Sequence, residues 1–163
     1  MSITVRLIFF SMILCELATS AQTVKHTAEL PCPKCQELLL ITSPVLADWF
    51  KEEQKKDPSL HIMQAYRGEK EQERVFKSGA SYVGWGKSAH NYQPSFAIDL
   101  FFLENGKSKQ IPTKYKKMVS RLPASLENGS AIEGLVDWGH FQVKNWKKIA
   151  PGYPSGNAVP LKK

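Results

Sequence analysis

An aspartate stands in the middle of the most strand-like stretch of this chain. Residues 95–103 read SFAIDLFFL. Their alternation puts Phe96, Ile98 and Leu100 on one face of a strand and Ala97, Asp99 and Phe101 on the other. A carboxylate buried without a partner is costly. Asp99, between Ile98 and Leu100, therefore calls for a cation, and the small Ala97 beside it leaves room for a metal ion.

The elements around this strand fix the fold class. Ser43-Pro44 opens a helix, with a hydroxyl N-cap and proline at the first helical position. Val45, Leu46, Trp49 and Phe50 give it an apolar face, residues 51–56 a solvated end, and Asp57-Pro58 a stop. Residues 60–66 read as a strand ending at Arg67-Gly68. Residues 69–77 read as a helix with Val75 and Phe76 inward, closed by Gly79. A loop rich in glycine and aromatic residues follows over 80–93. After the central strand, Asn105-Gly106 makes a turn. Residues 112–122 form a basic helix with Tyr115, Met118, Val119 and Leu122 inward, and 123–134 are less regular. Residues 137–143 form a last strand with His140 and Gln142 on one face and Phe141 and Val143 on the other. A short helical turn follows at 146–150. Strands and helices mix without a β-α-β rhythm, which predicts an α+β fold with a small antiparallel sheet and flanking helices.

The chain has 163 residues, enough for one domain, and at 42% hydrophobic and 23% charged it is globular rather than disordered. Residues 1–21 resemble a secretory signal: Arg6, an apolar run too short to span a bilayer comfortably, then Ala18-Thr19-Ser20-Ala21. The alternative is an uncleaved segment that tethers the protein to a membrane or touches it transiently. Residues 22–150 are the expected domain, and 151–163 a flexible basic tail. Export, periplasmic or extracellular, is the expected localisation, and the protein is expected to be a monomer. The net charge of +7 suits a polyanionic partner such as nucleic acid, anionic lipid or cell wall. No paired zinc half-site or basic-aromatic stripe supports nucleic acid. The Cys32-Pro33-Lys34-Cys35 motif reads as a local staple at the domain entrance. Only His26 lies close by, and a structural zinc site needs four ligands, so the motif does not read as a zinc ribbon.

Two histidines complete the pattern around Asp99. His90 lies in Ser88-Ala89-His90-Asn91, and the turn at Gln93-Pro94-Ser95 can fold it back onto the strand. His140 lies in Asp137-Trp138-Gly139-His140-Phe141-Gln142. Two imidazoles and a carboxylate form a common ligand set for a catalytic zinc with an open position for water. Residues three apart in a strand point to opposite faces. Asp137 converges with His140 only if it sits on an irregular entry to the strand, where Gly139 supplies backbone freedom.

Ser-x-His, then Ala-x-Asp, then a carboxylate three residues before His-Phe-Gln resembles the zinc peptidases of peptidoglycan. These are the D-alanyl-D-alanine carboxypeptidases and the phage L-alanyl-D-glutamate endolysins, which share the hedgehog/DD-peptidase fold. Ala65-Tyr66-Arg67 followed by Gln72 resembles the family's aromatic-Arg…Gln element. The resemblance covers about residues 36–148. It implies that His90, Asp99 and His140 bind Zn2+, that Asp137 is the general base and that Arg67 holds the substrate carbonyl or oxyanion. Gln72 and Ser88 would support the site or touch substrate. Stem peptides of peptidoglycan are the implied substrate, with D-Ala-D-Ala carboxypeptidase as the leading activity. An L-alanyl-D-glutamate endopeptidase, or a non-catalytic metal-containing wall-binding module, are the alternatives. Two departures stand out. The gap from His90 to Asp99 is longer than in many members. The base is Asp where the carboxypeptidases usually have Glu, which is closer to the phage endopeptidases.

Overall fold

The computed structural model describes residues 32–132 and 137–155. The signal-like segment 1–21 and the end of the tail lie outside the described residues. Helix α1 (Pro33–Leu40) and helix α2 (Pro44–Lys56) lead into strand β1 (Leu60–Gln64) and helix α3 (Glu69–Lys77). Then come β2 (Ala97–Glu104), β3 (Lys107–Lys109), α4 (Pro112–Val119), β4 (Leu126–Asn128), β5 (His140–Val143) and α5 (Trp146–Ile149). Short 3-10 turns sit at Ala89–Asn91 and Gly129–Ala131. These five strands pair antiparallel, in the order β1-β2-β5-β4, with β3 on the far end of β2. This is the α+β fold with a small antiparallel sheet and flanking helices that the pattern predicts.

The two faces of β2 separate core from site. Ile98, Leu100 and Phe102 are buried against Leu46, Trp49 and Phe50 of α2, Tyr115 and Met118 of α4, and Phe141 of β5. Trp49 packs against Phe141 with 4.7 Å between centroids, and Phe102 against Tyr115 with 5.0 Å, both pairs tilted. The opposite face carries Asp99. Register does the rest: Asp99 pairs with Gln64 of β1 on one side and with His140 of β5 on the other. Directly opposed residues on adjacent strands share a face, so Gln64, Asp99 and His140 form a row across three strands.

Several elements differ from expectation. Helix α1 follows from Cys32 as N-cap and Pro33 at the first helical position. It is hidden in the sequence because the Cys pair reads as a staple alone. Strand β4 occupies the stretch read as irregular. Val45 and Phe76 are exposed rather than inward, and Gln72 is the buried residue of α3. Glu53 and Gln54 are buried in the stretch of α2 read as solvated. Glu53 pairs with Arg121, and Gln54 Nε2 donates to Leu60 O. Such cross-chain partners leave no trace in local periodicity. The tail is predicted to be loose from Pro151; within it, residues 151–153 are exposed while Ser155 is tied to the body of the fold. Ser155 N donates to Asn91 O at 2.8 Å, Gln93 N donates to Ser155 Oγ at 3.0 Å, and the Tyr66 hydroxyl donates to Ser155 O.

Candidate metal centre

Three elements deliver three side chains that could hold a metal ion. Asp99 lies mid-strand on β2, and His140 opens β5 directly opposite. His90 arrives on the 3-10 turn Ala89–Asn91. Ser88 caps that turn, its Oγ accepting from His90 N, while Asn91 Oδ1 accepts from Ser88 N. The loop then folds back at a cis Gln93–Pro94 peptide, and Phe96 N donates to Ala89 O at 3.0 Å. All three side chains are buried.

Hydrogen bonds outside the cluster set which ring atoms face it. His90 Nδ1 lies 2.5 Å from Ala65 O, and a carbonyl can only accept, so Nδ1 carries the proton. His140 Nε2 lies 3.1 Å from Gln142 Oε1. The amide of Gln142 is oriented in turn by its Nε2 donating to Glu127 Oε1 at 2.6 Å. His90 Nε2 and His140 Nδ1 therefore turn lone pairs toward Asp99. His90 Nε2 is 3.2 Å and His140 Nδ1 2.9 Å from Asp99 Oδ1, with 3.3 Å between the two nitrogens. An ion with tetrahedral N and O ligands at about 2.0–2.2 Å has edges of about 3.3–3.5 Å between ligand atoms. The triad has nearly these spacings, and facing lone pairs need a positive charge between them. The residues fit a divalent metal, and the oriented outer shell is the kind metal-ligating histidines have.

Without a metal, a proton serves in its place. Burial works to raise the Asp99 pKa, but the charge of His90 and the hydrogen bonds of both histidines hold it well below the carboxylate range. Burial works to lower the His140 pKa, but the hydrogen bond and charge of Asp99 raise it above the ordinary value. In the metal-free protein the raised His140 pKa gives stability that is full below the unfolded value, about 6.5, and lost as pH rises through the folded value. The lowered Asp99 pKa gives stability present above about 3.9 and lost as pH falls through the folded value. Metal binding needs unprotonated ligands, so its pH dependence has the opposite sign to that of His140. The rise in Tm on adding zinc should therefore grow from about pH 5 to about pH 8. Melting curves with zinc and with chelator at each pH check this; a rise that is flat or shrinks with pH would contradict the assignment of His140 as a ligand.

Arg67 stands beside the triad with its guanidinium locked. Its Nη2 donates to Asp99 Oδ2 at 3.3 Å, its Nε to Gln64 Oε1 at 2.9 Å and its Nη1 to Gln72 Oε1 at 3.1 Å. Burial lowers its pKa, opposed first by Asp99, and the guanidinium stays charged. Gln72 is fully buried. Its Oε1 also accepts from Asn91 Nδ2, and its Nε2 donates to Ser81 Oγ and Val83 O. Its place is behind Arg67, where all its polar atoms have protein partners. Ser88 reaches the cleft wall, with its hydroxyl turned to the His90 turn.

Asp137 sits at the exposed lip, in a turn before β5 rather than in the strand. Its Oδ1 accepts from Gly139 N at 3.0 Å, and the turn brings it to the cleft that His140 lines. Two glycines make this turn possible by their size. A Cβ on Gly129 would lie 2.4 Å from Asp137 O and 3.1 Å from His140 Cβ. One on Gly139 would lie 2.9 Å from Leu100 O, so close approach, not unusual dihedrals, is why glycine stands there. Gly129→Ala must push the Asp137 turn outward. We expect a loss of about 1–3 kcal/mol in stability and a larger proportional loss of any activity that uses Asp137. Denaturant melts and assays on the variant check this; an unchanged melt would show that the turn yields freely.

Together these residues line an open cleft of about 480 Å3 that also takes in Tyr82, Lys87, Trp146 and Lys147. Gln64, Asn91, Gln142 and Gly129 are the site residues that sequence reasoning missed. Asn91 and Gln142 lie inside the quoted motifs, and Gln142 shares the His140 face by strand alternation.

No protein-family model matches this chain, and no curated protein matches it by sequence. Among solved structures, the crystal structure of Serratia marcescens L-Ala D-Glu endopeptidase ChiX is similar, with a TM-score of 0.57 at 17% identity over 71% of this chain and 90% of that one. The likeness shows a shared fold that spans nearly all of that endopeptidase.

Proposed function

We propose that this protein is a zinc-dependent endopeptidase that cuts peptidoglycan stem peptides between L-alanine and D-glutamate. The observation that carries the reading is the convergence of three lone-pair donors, His90 Nε2, Asp99 Oδ1 and His140 Nδ1, at one end of a cleft whose lip holds a further carboxylate. A zinc ion held by that triad would supply an activated water and polarise the scissile carbonyl. Asp137 takes the proton of the attacking water and delivers it to the leaving amine. Arg67, fixed beside Asp99, offers its positive charge to the developing oxyanion. Gln64, Gln72 and Asn91 keep the Arg67 segment in place.

Three features favour the endopeptidase over the carboxypeptidase. The fold is that of a protein described as an L-Ala D-Glu endopeptidase, and the base is Asp. The cleft also adjoins a second hollow of about 380 Å3, with which it shares Val83, Lys87, Trp146 and Lys147. That leaves room for peptide on both sides of the cut, and the two lysines suit the carboxylates of the D-glutamyl side. Export to the wall compartment belongs to the same reading. Purified protein incubated with defined stem peptides, with and without chelator, tests it by mass spectrometry. Chelator-sensitive release of L-alanine-terminated product is expected. Loss of a single terminal D-alanine would instead establish a carboxypeptidase. No cleavage with zinc demonstrably bound would favour a wall-binding module.

A further inference from the structure

A second cluster of metal-capable side chains lies away from the cleft, where α1 meets β1. Cys32 is the N-cap of α1 and Cys35 follows one turn later; a disulfide joins them across a Cα–Cα distance of 5.1 Å. Cys35 Sγ lies 3.8 Å from Nδ1 of His61 on β1, and the three ligand atoms fall within 4.8 Å of one another. A tetrahedral ion with sulfur at about 2.3 Å and nitrogen at about 2.0–2.1 Å has an N···S edge of about 3.6 Å. Cys35 and His61 are thus already near bridging distance. The two sulfurs would need about 3.8 Å between them. Side-chain rotation within one turn of helix can supply that once the S–S bond is broken.

The surroundings suit thiolates. Cys35 N donates to Cys32 Sγ at 3.1 Å, and Ile62 N donates to Cys35 Sγ at 3.4 Å. Both sulfurs sit at the positive end of α1. The His61 ring is held by stacking on Phe101 at 5.4 Å. Burial lowers its pKa, which favours the neutral ring a metal requires.

We propose that reduction of the Cys32–Cys35 disulfide opens a second metal site, in which both sulfurs and His61 Nδ1 bind one thiophilic divalent ion such as zinc. A dithiol reductant closes to its own disulfide as the Cys32–Cys35 bond becomes two thiols, giving up two electrons and two protons. The ion then displaces both thiol protons to solvent, leaving two thiolates that balance its charge. Water takes the fourth position. The disulfide ties Cys32 to Cys35 within one segment, whereas the metal adds a coordinate link from α1 to β1, the strand that carries Gln64.

Cobalt(II) tests this in the full chain with Cys15→Ser, which leaves two cysteines. Cobalt bound to thiolates shows an intense sulfur-to-metal charge-transfer band that histidine and carboxylate sites lack. The band is expected after reduction by a phosphine that is then removed, and not in the oxidised protein. It should persist in His140→Ala, so it is read independently of the cleft and of the peptidase reading. His61→Ala should weaken cobalt binding, read at the band, at least about tenfold. A reduced protein without the band, or His61→Ala binding as tightly as the parent, would overturn the proposal.

Discussion

His140→Ala is expected to empty the cleft of zinc and abolish hydrolysis while leaving the sheet intact. In the proposed site the ring is one of three ligands, and no histidine or cysteine beyond His90 and His140 joins that cluster among the described residues. Disturbing a group that only orients a ligand typically costs about 10–100-fold in metal affinity, so removing the ligand itself should cost more than about 100-fold. The fold should survive, because Phe141 and Val143, not His140, carry the packing of β5. Asp99 keeps His90 and Arg67 as partners, which limits the cost of its burial. Metal content after dialysis against trace zinc, measured on the oxidised protein so that the cysteines stay occupied, gives the readout. Stoichiometric zinc in a folded His140→Ala protein would remove His140 from the ligand set.

What the sequence made legible here was local. Asp99 stood out because alternation of period two places it opposite Ile98 and Leu100, and the cost of a buried charge does not depend on the rest of the fold. His90 and His140 were legible as motif members. Their meeting at Asp99 depends on a strand register that spans about forty residues and on a loop that folds back, neither of which periodicity encodes. The same limit hid the supporting shell. Gln64 is an ordinary polar residue on a strand until pairing puts it opposite Asp99, and Gln142, although alternation places it on the His140 face, gains its role only when β4 brings Glu127 opposite it. Gln72 was legible as a residue that supports the site or touches substrate, and the hydrogen bonds around it show an amide engaged behind Arg67. Strand β4 was invisible because three residues are too few to show alternation, although its Asn128 Nδ2 donates to Trp138 O and His140 O and so holds the turn between Asp137 and His140.

Asp137→Asn should leave zinc bound and lower kcat by about 10²–10⁴, the range a positioned general base contributes. Asp137 is not among the three converging ligands, and it is exposed at the lip where an incoming water can be reached. Asparagine separates two roles that alanine would confuse. Its carbonyl oxygen can still accept from Gly139 N, as Asp137 Oδ1 does at 3.0 Å, so the turn before β5 is kept while proton transfer is lost. Asp137→Ala removes both, and should add a loss of stability of about 1 kcal/mol for the missing turn hydrogen bond. If the two variants lose kcat equally and only the alanine variant melts earlier, Asp137 acts through its proton. A D137N protein that keeps parental kcat with zinc bound would show that another group takes the proton from the water. Asp137→Glu then reads the reach of the base: its extra methylene moves the carboxylate across the cleft lip, and a misplacement of about 1 Å can cost about 100-fold. Strong loss in D137E would mean that the short side chain matches where the water must sit in this cleft, whereas parental activity would mean that the lip tolerates either length.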